Sequence, residues 1–235
     1  MACPIRVEKT ASRRALPGMR RAAESDSEII ARPAAGLAAA LNDVLDDAAA
    51  MPQLEALVIV DESTEIIDRG LLARVRSALA NSPSAIVGAI GGSGITSIAW
   101  WDHPERFGSL RCVPEGMGGL ELAVSGIVSP DRRAGVNEVD IVDGSILALS
   151  PWAVRSTRFD DALGPVLDAL AADLCFQARA AEGRVAVAEL GVIRHRRQIE
   201  PSERGRWIEA YEAFGRKWEP RWGPVVANQD LETAS

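Results

Sequence analysis

Histidine and cysteine are scarce in this chain of 235 residues: it has His103 and His195, and Cys3, Cys112 and Cys175. With no Cys-x-x-Cys pair and so few imidazoles, the donors of a structural zinc site are missing. An odd, scattered set of cysteines argues against a disulfide framework, and His103 and the cysteines are read as structural or incidental. Long apolar runs are absent too. No stretch approaches the roughly 18 residues that a spanning helix needs. The basic N-terminal region has no apolar run after it, so no signal peptide is expected. Together these absences suggest a cytoplasmic protein, with membrane contact at most peripheral. Positive charge is in deficit, 26 Lys and Arg against 33 Asp and Glu, a net −7. That argues against a general nucleic-acid binder, which needs a basic face to displace counterions, and leaves room for a local basic patch. The chain also lacks a Gly-x-x-x-x-Gly-Lys-Ser/Thr loop and a convincing dinucleotide fingerprint.

What is present is globular. Hydrophobic residues make up 47% and charged residues 25% of the chain, the balance of a soluble core with a polar surface. No internal repeat or low-complexity linker breaks the sequence. One domain over 1–226 is expected, with a disordered tail at 227–235.

Apolar periodicity sets the order of elements. Short strands are expected at 5–7 and 28–31, with a helix over 12–23 between them and a break at Pro33. Leu37, Leu41, Val44, Leu45 and Ala48 recur at helical spacing and predict a helix over 36–50. The continuous run 57–60 reads as a strand buried on both faces. A helix over 70–80 and a strand over 85–90 follow, and the latter runs into the Gly91–Gly94 loop. This alternation predicts an α/β fold with a mainly parallel twisted sheet flanked by helices. Ligands then belong beyond the carboxyl ends of the strands, where Asp61, Glu62 and Glu65 lie. The stretch 102–137 is rich in Gly and Pro and reads as an excursion holding one strand, 120–128.

The segment from Glu138 to His195 carries most of the functional signal. It reads as strand 146–149, a connecting piece over 160–170, a helix over 173–182 with Asp173 as N-cap, and strand 185–188 before His195. A last helix is expected over 202–218, its Trp207, Tyr211, Phe214 and Trp218 spaced to pack on the domain.

Four pieces, in order, resemble family 2 glycosyltransferases of the GT-A fold, over roughly 28–218. Gly36-Leu37-Ala38-Ala39-Ala40-Leu41-Asn42 with Ala48 resembles the helix that leads to the family's metal strand. The run Leu57 to Ile66 is similar to that strand and its acidic turn. Gly94 to Trp101, ending Ser97-Ile98-Ala99-Trp100-Trp101, resembles a bacterial subgroup. Asp143-Gly144, then Asp173-Leu174-Cys175, then His195 resemble the acceptor strand, catalytic helix and terminal histidine.

The resemblance implies sugar transfer from a nucleotide-sugar donor to an unknown saccharide, lipid-linked or protein acceptor. It implies a divalent cation, Mn or Mg, to carry the charge of the leaving diphosphate. Asp61, Glu62 and Ser63 would meet the nucleotide diphosphate, and Asp61, Glu62 and His195 the metal. Trp100, Trp101, Asp143 and Gly144 would line the acceptor, with Asp168 and Asp173 as catalytic carboxylates. The chain departs from the pattern at three places. Ser63 stands where the family carries Asp. Leu170 and Ala171 stand where it places the general base. No acid after the second strand matches the family's uracil contact, at Arg32-Pro33. These departures motivate a second reading, a catalytically degenerate relative that binds a nucleotide, a glycan or a protein. The late arginines Arg194, Arg196, Arg197, Arg204 and Arg206 read either as a solvated face or as a surface for a diphosphate or an anionic lipid-linked acceptor.

Overall fold

The computed structural model describes residues 1–81, 84–95, 106–114, 122–125, 136–196 and 201–218. Trp100, Trp101, the Ser97–Trp101 motif and the 227–235 tail lie outside the described residues. In chain order the elements are β1 (Ala2–Ile5), α1 (Glu8–Arg13), α2 (Ala15–Ala22), β2 (Ile30–Pro33), α3 (Leu37–Ala49), β3 (Leu57–Val60), β4 (Thr64–Ile66), α4 (Leu71–Asn81), β5 (Ser84–Gly88), β6 (Ile90–Gly92), β7 (Arg106–Pro114), β8 (Leu122–Ser125), β9 (Asn137–Val139), β10 (Ile141–Val142), β11 (Ile146–Leu149), α5 (Pro151–Ser156), α6 (Leu167–Ala180), β12 (Arg184–Val187), β13 (Val192–Arg196) and α7 (Pro201–Trp218).

The fold is mixed α/β. The main sheet has the order β2-β1-β3-β11-β5-β12-β9. Five of its strands run in one direction, and β11 and β9 are reversed. The apolar run of β3 serves both faces: Leu57 and Ile59 enter one core, Val58 and Val60 the other. β11 divides the same way, Leu147 and Leu149 against Ile146 and Ala148. Alternation across a strand buried on both sides leaves no room for a polar residue, hence the unbroken hydrophobic run. α3, α5, α6 and the end of α7 cover the first face, and α1, α2 and α4 cover the second. Each buried Leu of α3 contributes on the order of 1.5–3 kcal/mol of transfer free energy.

Two expectations change. The run 85–90 is not one strand: β5 belongs to the main sheet, and β6 belongs to a second sheet of order β10-β6-β7-β13-β4, with β8 on β7. The backbone switches partners at this break, because Ala188 N–H donates to Gly88 O while Ser109 N–H donates to Ala89 O. Second, α6 begins six residues before Asp173. Its N-cap is Val166, with no side-chain cap, and Asp173 sits inside the helix. The alanine- and leucine-rich stretch 167–172 propagates a helix readily, and the Asp173 carboxylate finds partners elsewhere. At the other end Glu182 adopts φ 63°. Glu182 N–H bonds Arg179 O, and Gly183 N–H bonds Ala178 O, a Schellman ending with a non-glycine residue in the left-handed position.

Candidate functional site at the carboxyl edge of the sheet

β1 and β3 end side by side, and the residues just past them form one wall. Asp61, Glu62 and Ser63 follow β3, and Arg6 and Val7 follow β1. β11 runs antiparallel to β3, so the residues before it, Asp143, Gly144 and Ser145, reach the same edge. Asp61 N–H donates to Ser145 O at 3.1 Å and ties the two together. The first turn of α6 supplies Asp168, whose Oδ1 accepts the Gly144 N–H at 2.9 Å. A Cβ at position 144 would stand 2.9 Å from Asp168 Oδ1 and from the Leu167 carbonyl carbon. Glycine is therefore required for this close approach.

Arg194, from β13, lies at the centre. Its Nη1 donates to Asp168 Oδ1 at 2.9 Å and to Asp143 Oδ2 at 3.2 Å, and its Nη2 donates to Asp168 Oδ2 at 3.0 Å. Burial works against the Arg194 charge, but Asp168, Asp143 and Asp61 outweigh it and hold its pKa well above the ordinary value. Asp143 is buried and accepts from Ser145 Oγ at 2.7 Å. Burial pushes its pKa up to about 6, against the pull of Arg194. The Thr64 hydroxyl, opposite Arg194 in the β4–β13 ladder, is buried with no hydrogen-bond partner among the described residues.

Asp61 and Glu62 are held from the β1 side. Asp61 Oδ2 accepts from Arg6 Nη2 at 2.7 Å, and Asp61 Oδ1 accepts from Ser63 N at 3.0 Å and from Ser63 Oγ. Glu62 Oε2 takes the backbone N–H groups of Arg6 and Val7 at 2.7 and 2.8 Å, and its Oε1 lies 3.3 Å from Arg6 Nε.

The structure brings Asp61, Glu62, Ser63, Asp143, Gly144 and Asp168 to one edge, and leaves two expected members apart. Side chains alternate along β13, so His195 faces the opposite way from Arg194. Its Nε2 meets Glu65 Oε2 at 2.9 Å. Asp173 is buried in a knot with α7: its carboxylate accepts from Trp218 Nε1 at 2.7 Å, from Gln177 Nε2 at 2.7 Å and from Lys217 Nζ at 3.0 Å. Burial opposes the Lys217 charge, but hydrogen bonds to Asp160 and Asp173 raise its pKa overall. Asp173 is thus no N-cap, and its oxygens already hold donors. Ala171 is buried in the apolar core.

The expected metal set does not fit. Among the described residues no group of three His, Cys, Asp or Glu side chains is placed to hold a metal ion. His195 is turned to Glu65, and the oxygens of Asp61 and Glu62 carry donors, including a guanidinium. Arg194 itself was missed in the sequence, where it read as one of a late arginine cluster. The structure splits that cluster: Arg194 points inward, while Arg204 and Arg206 are exposed on α7. The signal that would have singled it out is its place in a strand between Ile193 and His195. A cavity of about 500 Å³ opens at the opposite end of the sheet, lined by Met1, Ile30, Glu55, Leu57 and Arg76 among others, away from these carboxylates. All three cysteines are buried and free. Among the described residues no helix is long and apolar enough to cross a membrane.

No family model matches the chain. It is 28% identical over 186 residues to the streptomycin biosynthesis protein StrF of Streptomyces griseus, a match covering 78% of this chain. Among solved structures it is similar to GalNAc-T7 determined with UDP, GalNAc and Mn2+, at TM-score 0.48 and 10% identity, over 78% of this chain and 36% of that one. The chain spans 61% of the length of StrF.

Proposed function

We propose that this chain is a GT-A-like glycosyltransferase that takes a nucleotide-sugar at the carboxyl edge of its main sheet and transfers the sugar to an acceptor not yet identified. The observation that carries this reading is the convergence of Asp61–Ser63, Asp143–Gly144 and Asp168. These are distant in sequence, and they meet where an α/β sheet holds its ligands. In this reading Ser63 and the exposed side of Arg6 face the diphosphate, and Asp143 and Gly144 face the acceptor. Asp168 is the carboxylate that accepts the acceptor's hydroxyl proton. Its side chain is about one-fifth exposed, whereas Asp173 is enclosed. Arg194 orients Asp168 through two parallel N–H···O bonds. The likeness to a protein named for streptomycin biosynthesis supports a biosynthetic role, in a cytoplasmic setting.

The test is incubation with a panel of nucleotide-sugars, with Mn2+, with Mg2+ and with chelator, reading release of the nucleoside diphosphate. No hydrolysis or transfer under any condition would sink the proposal.

A second reading, a binding module without catalysis, is favoured by one observation: Ala171 lies in the core and Asp168 is engaged by Arg194, so the cluster carries no base without a cationic partner. Thermal shift with UDP, GDP and dTDP separates the two readings. A ligand at 100 times its Kd stabilises by about 2.7 kcal/mol. Binding without turnover supports the module, and turnover removes it.

A further inference from the structure

We propose that the guanidinium of Arg194 is a built-in replacement for the divalent cation, and that it closes this carboxylate cluster to metal.

Asp61 and Asp143 are buried and Asp168 is largely so. Carboxylates brought this close and out of water need a positive charge among them, or they cannot stay ionised together. In a metal-dependent site that charge is a hard cation with oxygen ligands. Here it is Arg194, bonded to both Asp168 oxygens and to Asp143 Oδ2, with Asp61 also acting on its charge.

The acceptor oxygens point the same way. Asp143 Oδ1 holds the Ser145 hydroxyl, and Asp168 Oδ1 also holds the Gly144 N–H. Asp61 and Glu62 are held by Arg6, by Ser63 and by backbone N–H groups. Each carboxylate oxygen of the four thus has at least one donor. Mg2+ asks for near-octahedral oxygens at about 2.0–2.1 Å, and each of these four carboxylates keeps at least one oxygen on a guanidinium, whose charge a cation seated among them would have to displace. Arginine suits the role because its charge is permanent and its planar fork matches a carboxylate. Ser63 fits the same design: its hydroxyl donates to Asp61, where a second carboxylate would have called for a metal.

Removing the guanidinium should therefore uncover a metal site. The experiment follows Mn2+ binding by the electron paramagnetic resonance of free Mn2+, and melting in chelator or in Mn2+, for the wild type, Arg194→Gln and Arg194→Gln with Asp168→Asn, all without nucleotide. The expected result is no stoichiometric Mn2+ uptake and no metal-dependent melting in the wild type. Arg194→Gln should melt lower in chelator, bind Mn2+ at least about tenfold more tightly than the wild type, and recover part of its melting temperature. The second substitution should abolish that gain.

Stoichiometric Mn2+ binding that stabilises the wild type overturns the proposal. So does a folded Arg194→Gln protein with no gain in Mn2+ affinity. If Arg194→Gln fails to fold, the wild-type titration decides alone. One further arm rests on the proposed function: a nucleoside diphosphate that shifts the wild-type melting only with Mn2+ counts against Arg194 as the cation. Failure of every nucleotide to bind refutes the functional reading and leaves the Mn2+ titrations to decide this one.

Discussion

Replacing Asp173 by alanine tests whether this carboxylate belongs to the chemistry or to the architecture. The substitution removes the acceptor of three donors, and each loss can be weighed. Trp218 is almost wholly buried, and its indole N–H, now 2.7 Å from Asp173 Oδ1, loses that acceptor. Loss of a buried hydrogen bond to a charged acceptor costs about 1.5–3 kcal/mol. Gln177 loses less, because its Nε2 keeps the Arg158 carbonyl at 2.8 Å. Lys217 is about one-third exposed and keeps Asp160 at 2.7 Å, so its share is screened to at most about 1 kcal/mol. The sum is on the order of 3 kcal/mol. The loss should be local, because Phe214 and Trp218 pack on Phe176 with ring centroids 5.3 Å apart, and that contact is what α7 stands to lose. Urea unfolding followed by circular dichroism gives the total, and hydrogen exchange of the α7 amides gives the location. Asp173→Asn keeps one acceptor and should cost less. If Asp173→Ala unfolds within about 0.5 kcal/mol of the wild type while losing nucleotide-sugar turnover, the structural role is wrong and Asp173 acts at the reacting centre.

Other substitutions read other parts of the site. Gly144→Ala drives a Cβ to within 2.9 Å of the Leu167 carbonyl carbon and the Asp168 carboxylate; it should destabilise by about 1–3 kcal/mol, measured by chemical denaturation. Asp143 has a pKa raised to about 6, above its unfolded value, so the stability it contributes is present below about pH 4 and lost as pH rises through about 6. Asp143→Asn does not titrate there. Its stability relative to the wild type should therefore improve by roughly 3 kcal/mol between pH 3.5 and 7.5, and a flat difference across that range refutes the assignment. Ala171→Asp, the change that would restore the expected base, places a carboxylate in the apolar core. It should cost about 3 kcal/mol or more, and a variant as stable as the wild type would show that position 171 reaches solvent.

The sequence carried the architecture well where one physical rule dominated. The β3 run and the α3 stripe each reported burial directly, and both elements lie within a residue of their expected ends. The α6 start was lost because Asp173 resembles a cap, and only the distant Lys217 and Trp218 explain why an aspartate sits inside a helix. The partition of 85–90 between two sheets was equally invisible, since both halves are apolar. At the site, the residues after β3 and before β11 were legible because strand ends predict ligand edges. Arg194 was not, because an arginine among arginines looks like surface until the strand's alternation is known. The metal trio failed for the same reason: Asp61 and His195 share a neighbourhood in sequence logic but face opposite ways across β13.

That alternation makes β13 intolerant of insertion or deletion. Gly191, at φ 59°, precedes the strand, and its carbonyl accepts the N–H groups of Ile67 and Asp68. A Cβ there would meet Asp68 Cβ at 2.6 Å, so the strand enters at a fixed point. Slipping it by one residue would exchange the faces of Arg194 and His195. The histidine would enter among Asp61, Asp143 and Asp168, and the arginine would land against Glu65. The cluster would lose the planar fork that holds both Asp168 oxygens and Asp143. A single lost codon between residues 188 and 191 should therefore damage this protein more than most substitutions within the strand.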